Sequence, residues 1–575
     1  MQETNTLKAR VEKVLRDSIL EWKSSDSNLK IRIEYSRDER FGDYSTPFLM
    51  ENKETLGPPL DNSKQIIPIL ERSELFEKVD FTMPGFINFK ISKKTLNSYL
   101  FQIAEKDIFP ELTKPLKIIF EFVSANPTGP LNIVSARAAA MGDIICNLLQ
   151  KVGHKVHREF YVNDFGNQVF LLGVACLARL REALGETLTF QEEGDNTEIS
   201  ILLEKNILPS ESYRGEYIKE ISSALYSEPE KKKIIDELLQ NKEYEKLSNQ
   251  FSIWAVSFNL EKQKKDLAAF GVHFDEFFSE RSLHEKGEVI EVLKYLKPYL
   301  KTEGEKISFL STEFGDDKDR VVVREDGRPT YLLADICYHK TKVDRGFQKI
   351  INIWGPDHHG YITRLSGAMQ ALGLDKDSFQ VLIAQQVNLL SKGEKLKMSK
   401  RLGQFQTMSD LIEFLGENYK DVGRYFFIAR SLETPLDFDL DLAKEESEKN
   451  PVYYLQYAHA RIQSIFREIG SKGKKEDFET LEYTEERRRL SVLIAKFPEE
   501  ILDAAKLFEP HRLANYLKNL AKAFTQVYSA KENRLKDADS GTQSGLAFLL
   551  ATTAICLSSG LEILGINAPE RMERT

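Results

Sequence analysis

A chain of 575 residues exceeds what one hydrophobic core can serve, so three or four domains are expected. Its 41% hydrophobic and 29% charged residues describe an ordinary globular protein, and the net charge of −9 does not by itself mark a nucleic-acid binder, although whole-chain charge says little about a local basic surface. The first residues form a charged amphipathic helix without the apolar stretch of a secretory signal, and no run approaches the roughly 18 apolar residues of a membrane span, so a cytoplasmic protein without a membrane partner is expected. Cys146, Cys176, Cys337 and Cys556 stand singly among apolar neighbours with no CxxC pair, which predicts core thiols and neither a disulfide framework nor a zinc site.

Residues 1–115 read as a first unit. After the opening helix come FGDYS, from Phe41 to Ser45, and a Pro84-Gly85 turn followed by alternation from Phe86 to Ile91 that predicts a strand. Two aromatics, Phe86 and Phe89, flank the amide of Asn88 and could stack on and read an unpaired base; taken alone, a plain structural strand is the better reading.

From Lys117 an apolar run, Ile118-Ile119-Phe120 with Phe122 and Val123, stops at Ser124. Ala125 to Pro130 cannot continue a strand, and the Ala-rich segment from Ser135 predicts a helix. At such a strand–loop–helix junction small molecules bind, and the free N–H groups of the helix favour an anion. Glu121 breaks the apolar run; a buried carboxylate asks for a cation, supplied by a ligand or by the protein, unless it lies at a sheet edge. A second strand, from His154 to Val162, runs into Asn163-Asp164-Phe165-Gly166, and two such junctions predict a doubly wound α/β sheet. Residues from about 171 to 309 are helical and highly charged, an insertion between the halves of the sheet whose charge runs are most simply solvated faces.

The sheet is expected to resume at Val321 to Arg324. On the helix that follows, Tyr331, Asp335 and Tyr338 fall at i, i+4 and i+7, a polar stripe able to line a pocket. The buried-strand pattern Lys349–Trp354 ends in Gly355-Pro356-Asp357-His358-His359-Gly360; the histidines lack the further ligands of a zinc pattern, which favours substrate or phosphate contacts and no protein-held metal. Another strand, from Gln380 to Ala384, leads to a loop in which Lys392, Lys395, Lys397, Lys400 and Arg401 face a single acid, Glu394. Such a loop suits a triphosphate. From about Gly416 the chain is helical, with Asn450-Pro451 opening a helix as N-cap and N1. Tyr453, Tyr457 and Tyr528 read there as helix-core aromatics.

LKMSKRLG, from Leu396 to Gly403, resembles the KMSKS loop of class I aminoacyl-tRNA synthetases, and SANPTGPL before a helix resembles the approach to their HIGH motif. Together with TYLLADICYH, INIWGPDHHGY, PLDFDLDLAKEESEKNPVYYLQYAHARI and INAPERM, the chain is similar along nearly its whole length to bacterial-type arginyl-tRNA synthetases. The resemblance implies L-arginine, ATP with Mg²⁺ and tRNA(Arg) as substrates, adenylation of arginine, transfer to the tRNA 3′ end, and a monomer. It implies a tRNA D-loop-reading domain over 1–115, a Rossmann-like catalytic domain over 116–430 and a helical anticodon-binding domain over 431–575. Glu121, Ser124, Asn126, Tyr331 and Asp335 are then the arginine site. Pro127, Thr128, Gly129, Val134, Gly355, Asp357, His358, His359, Met398 and Ser399 meet ATP, and Lys397 and Lys400 clamp its phosphates. Phe86, Asn88, Tyr453, Tyr457 and Tyr528 meet tRNA.

One departure is serious: where the family has a His-x-Gly-His tetrad, this chain has Asn132-Ile133-Val134-Ser135. Both imidazoles are gone, leaving Asn132 and Ser135 as substitute catalytic donors. The alternative is a degenerate paralogue that binds arginine or tRNA without aminoacylation; the kept pocket residues, KMSK loop and full-length tRNA-binding regions weigh against it.

Overall fold

The computed structural model describes residues 6–23, 29–36, 38–105, 114–195, 197–396, 407–533, 535 and 538–572. Lys397, Met398, Ser399 and Lys400 lie outside the described residues.

In the N-terminal unit the helix Leu7–Lys23 buries Leu7, Val11, Leu15 and Ile19, one stripe at helical spacing. An antiparallel sheet of four strands follows in the order Glu34–Tyr35, Tyr44–Thr46, Phe86–Ile91, Phe76–Thr82. Strand alternation sends Ile87, Phe89 and Ile91 into the core, where Phe89 stacks on Phe76 with centroids 4.9 Å apart. The expected pairing of two aromatics around an amide is therefore corrected: Phe86 and Phe89 point to opposite faces, and Asn88 is buried with its Nδ2 donating to Thr82 Oγ1 at 2.8 Å.

The central domain is built on five parallel strands in the order Phe379–Ile383, Lys349–Trp354, Lys117–Glu121, Lys155–Val162, Glu276–Ser279. Chain order runs outward in both directions from Lys117–Glu121, the doubly wound arrangement expected, and the switch point lies between that strand and Lys349–Trp354. The fifth strand corrects the sequence reading. Glu276–Ser279 lies inside the segment taken as a helical insertion, and Val321 to Val323 belongs to a separate antiparallel sheet with Leu300–Glu303 and Lys306–Phe309. A four-residue strand whose residues are all half-buried carries no periodicity strong enough to read.

A row of polar side chains crosses this sheet. Asn352, Glu121, Glu159 and Glu276 are lateral neighbours on four adjacent strands. Their partners come from the helix Tyr331–Asp344 and the residue after it. Lys342 Nζ lies 2.5 Å from Glu121 Oε2, Tyr338 donates to Glu159 Oε1 at 2.7 Å, and Arg345 bridges Glu159 at 2.6 Å and Glu276 at 2.9 Å. Burial alone would raise the Glu159 carboxyl, but His157, Lys342, Tyr338 and Arg345 together hold it down at about 2.

The C-terminal helices Pro451–Ile469, Glu485–Leu507, Pro510–Ser529 and Ser540–Ile563 form the bundle. Among the described residues Ser540–Ile563 is, against the sequence reading, long and apolar enough to cross a membrane by length and composition, with mean hydropathy 1.8; 67% of that stretch is buried in the protein, as in a core helix. The bundle is keyed to the central domain by Arg424, which is fully buried and reaches Asp143 at 2.6 Å and the Leu564 carbonyl at 2.9 Å. Gly565 must be glycine there: its φ is +68°, and a Cβ would stand 2.4 Å from that guanidinium. The bundle also holds the N-terminal unit, since Glu499 accepts from Lys8 N at 2.6 Å and Tyr44 hydroxyl at 2.9 Å, and Arg488 pairs with Asp43 at 2.8 Å.

Removing one partner of a buried ion pair strands the other charge, at a cost of about 3–5 kcal/mol. Lys342→Met is therefore expected to destabilise the central domain by about that amount in urea denaturation, and the double variant Lys342→Met/Glu121→Gln to recover more than half of it. Equal losses in single and double variants would show that Lys342 is not there for the Glu121 charge.

Candidate active site

At the switch point, beyond the carboxyl ends of Lys117–Glu121 and Lys349–Trp354, lies a cavity of about 460 Å³. Glu121, Ser124, Asn126, Tyr331 and Asp335, the whole arginine set inferred from sequence, line it. So do Gly355 and His358, whereas Asp357, His359, Pro127, Thr128, Gly129, Asn132, Val134 and Ser135 are outside its lining.

The floor of the cavity is Glu121. Of the readings open for it, a protein cation is the one found, though a lysine: Lys342 holds Oε2 and the Ser124 hydroxyl donates to Oε1 at 3.0 Å. Reaching that bond bends the chain sharply. Val123 and Ser124 have φ of 67° and 40°, a left-handed geometry costing about 1–3 kcal/mol per residue that bears a side chain. Tyr161 N–H donates to Ser124 Oγ at 3.1 Å and holds the turn from the neighbouring strand.

The walls carry two further carboxyls that, among the described residues, have no lysine or arginine against them; His284 Nε2 lies 3.5 Å from Glu280 Oε1, but burial lowers its pKa and favours the neutral ring. Asp335, one turn in from the exposed Tyr331, accepts from the Tyr361 hydroxyl at 2.5 Å; burial, aided by the Glu121 charge, raises it to about 6. Glu280, at the start of the helix after Glu276–Ser279, is raised to about 7 by burial and then by Asp335. Tyr161 offsets part of that rise, and Asn163, with its amide nitrogen turned toward the carboxylate, donates to Glu280 Oε2 at 3.1 Å. Two acids kept from ionising easily, facing one cavity, are a site waiting for a cation. His339 seals the back as a neutral imidazole: Nδ1 donates to the Asp335 carbonyl at 2.8 Å, Nε2 accepts from Asn352 at 2.8 Å, and burial, with Lys342 beside it, holds its pKa well below the usual range.

Sequence reasoning missed Glu280, Tyr161, Tyr361 and Lys342. Tyr161 and Asn163 sit at the end of a strand already recognised, so their place at a βα junction was the available signal. Glu280 follows the strand that went unread.

Beside the cavity, the helix Ile133–Lys151 starts two residues earlier than its Ala-rich pattern suggests. Asn132 is its N-cap, with Oδ1 accepting from Ser135 N at 2.8 Å and from the Ser135 hydroxyl at 3.1 Å. The expectation of two substitute donors is corrected in part: the Ser135 hydroxyl donates to Asn132, which leaves the Asn132 Nδ2 as the remaining side-chain donor of the two. Among the described residues one trio, His157, Glu159 and Glu276, has the spacing to hold a metal, but Arg345 occupies it, with its NH2 2.9 Å from His157 Nε2.

On the bundle, Tyr453 and Tyr457 are half-buried and parallel, with centroids 6.2 Å apart and planes 6° apart. One turn on, Arg461 lies 5.0 Å from the ring centroid of Tyr528 and bonds its hydroxyl. The reading of these tyrosines as core is thus replaced by a partly exposed aromatic–guanidinium strip.

Residues 96–422 match the family described as tRNA synthetases class I (R), catalytic domain; residues 5–91 match Arginyl tRNA synthetase N terminal domain, and residues 455–572 match DALR anticodon binding domain. The chain is 58% identical to the arginine–tRNA ligase of Leptospira interrogans serovar Lai over the whole of both chains, and 40% identical to that of Bacillus subtilis over 94% of each. In fold it is similar to Thermus thermophilus arginyl-tRNA synthetase, with a TM-score of 0.76 at 19% identity, covering 99% of this chain and 100% of that one. The parallel sheet with its switch-point cavity, the helical bundle and full-length similarity at this level together show that the chain belongs to the arginine–tRNA ligase family.

Proposed function

We propose that the protein joins L-arginine to tRNA(Arg) in two steps at the switch-point cavity, as a cytoplasmic monomer. The carboxylate of arginine attacks the α-phosphorus of ATP, accompanied by Mg²⁺, and releases pyrophosphate; a ribose hydroxyl at the tRNA 3′ end then attacks the arginyl carbonyl and releases AMP. Full-length similarity to arginine–tRNA ligases supports this over a degenerate paralogue.

The observation that carries the substrate choice is the pair Asp335 and Glu280, both raised toward neutrality, in a cavity whose third acid is already matched by Lys342. A guanidinium offers planar donors to both and keeps its charge at any working pH. Tyr331, at the rim, covers the side chain; Asn126 holds the amino-acid backbone, and Ser124, its hydroxyl given to Glu121, fixes the turn beneath it. ATP then lies over Pro127, Thr128, Gly129 and Val134 at the helix start, where the first N–H groups favour phosphate. Gly355, Asp357, His358 and His359, on the loop after the adjacent strand, contribute two exposed imidazoles on the same edge of the sheet. They offset part of the loss of the tetrad histidines. Lys397, Met398, Ser399 and Lys400 close on the triphosphate, with no covalent enzyme nucleophile, so positioned positive charge supplies most of the rate. Tyr453, Tyr457 and Tyr528 stack anticodon bases, and Phe86 meets the D-loop; Asn88, spent on Thr82, supports that surface from below.

Asp335→Ala removes a charge-assisted partner from a desolvated pair, a loss of about 2–4 kcal/mol, and is expected to raise the arginine KM roughly 30- to 1000-fold; Glu280→Gln is expected to raise it at least about 10-fold. An unchanged arginine KM in ATP–pyrophosphate exchange would remove these residues from the pocket.

Because both carboxyls must be ionised to hold a guanidinium, kcat/KM for arginine should be level above about pH 8 and fall as pH drops through 7 and 6, by about 10-fold per unit for each proton taken up. The pair titrates as a unit, and Glu280→Gln should remove the step nearer neutrality. A profile flat from pH 8 to about 5.5 would contradict the assignment.

Lys400→Ala should lower kcat of arginine activation by at least about 100-fold with little change in arginine KM, an oxyanion-type loss. Asn132→Ala should cost less, and Ser135→Ala least, since its hydroxyl serves the cap. No pyrophosphate exchange by the wild type with its own tRNA present would return the paralogue reading.

A further inference from the structure

The loop carrying Asn126 has no secondary structure of its own and follows the left-handed turn at Val123 and Ser124. Such a segment keeps one conformation only if its surroundings fix it. Four consecutive carbonyls of this loop each accept a hydrogen bond from the inserted helices. Gln263 Nε2 donates to Asn126 O at 3.2 Å and to Gly129 O at 2.8 Å, Asn259 Nδ2 donates to Pro127 O at 3.0 Å, and the Tyr217 hydroxyl donates to Thr128 O at 3.0 Å. The Asn126 side chain is tied as well, its Nδ2 donating to Gln168 Oε1 at 2.8 Å.

Asn259 and Gln263 sit one turn apart on the helix Tyr244–Ala269 and are 4% and 1% exposed. Buried amide donors on a helix are costly unless matched, and both of these NH2 groups are matched outside the insertion, on the loop more than a hundred residues upstream, although Gln263 Oε1 finds no partner. Scaffolding of the insertion itself does not require that reach.

We propose that the insertion is the clamp that shapes the amino-acid loop, with Gln263, Asn259 and Tyr217, and Gln168 just ahead of the insertion, as positioning residues that aim Asn126 into the cavity and set the approach to the helix N-terminus at Asn132. The inference rests on the amino-acid-activating function proposed above. It assigns the insertion a part in gripping the small substrate, at a distance from every atom that reacts.

The test is ATP–pyrophosphate exchange on the full-length enzyme with tRNA present, with arginine KM and kcat read separately and thermal stability measured alongside. Gln263→Met keeps the volume and removes both donors; it should raise arginine KM at least about 10-fold with a smaller change in kcat. Tyr217→Phe, which deletes one hydroxyl and leaves the fold least disturbed, should raise it about 3-fold. Ser222→Ala is the control: its hydroxyl bonds the Cys176 and Ile218 carbonyls inside the insertion, so arginine KM should stay at the wild-type value even where stability falls. Gln263→Glu, the same shape with a donor replaced, should be no better than Gln263→Met. Wild-type arginine KM in both Gln263→Met and Tyr217→Phe, an equal rise in Ser222→Ala, or recovery in Gln263→Glu would each overturn the clamp. Absence of exchange in the wild type would instead overturn the activation reading on which it stands.

Discussion

The structure depends on how buried negative charge is matched across the central sheet. Glu121, Glu159 and the half-buried Glu276 stand side by side on three parallel strands, and the two buried carboxylates at that spacing repel strongly in a medium that screens poorly. One helix answers them. Tyr338, Lys342 and Arg345 face the row, so Tyr331–Asp344 can dock in one register only, and that register places Tyr331 and Asp335 over the cavity. The ion pairs need add no net stability to do this, because a slip by one turn would strand at least one buried charge.

On the proposed function, specificity follows by subtraction. Glu121, conspicuous in the sequence as a carboxylate in an apolar run, is neutralised from within, and the charge left over for a substrate belongs to Asp335 and Glu280. A neutral or acidic side chain entering the same cavity would leave both acids desolvated and unpaired, which is a stronger rejection than any shape mismatch of one methylene.

Much of this was legible in the sequence, and the limits have physical causes. The strand–loop–helix junction at Glu121, the doubly wound sheet and the Tyr331–Asp335 stripe were readable because long apolar runs and helical spacing are local signals. Glu276–Ser279 was unreadable, since its half-buried residues owe their state to a neighbouring strand; with it went Glu280. Asn88 and Phe89 show the same limit at smaller scale, one side chain turned to a threonine and the next to the core. The bundle tyrosines failed in the other direction: helical spacing alone cannot tell a core stripe from a half-exposed one.

The docking of the N-terminal unit on the bundle has a mechanical meaning. Glu499 and Arg488 on one bundle helix hold Lys8, Tyr44 and Asp43, so the N-terminal sheet and the bundle are tied to each other by buried and half-buried polar contacts. If Phe86, Tyr453 and Tyr528 meet RNA as proposed, those ties set the distance between the two surfaces, and an RNA whose elbow and far loop stood at another separation would touch one surface without seating on the other.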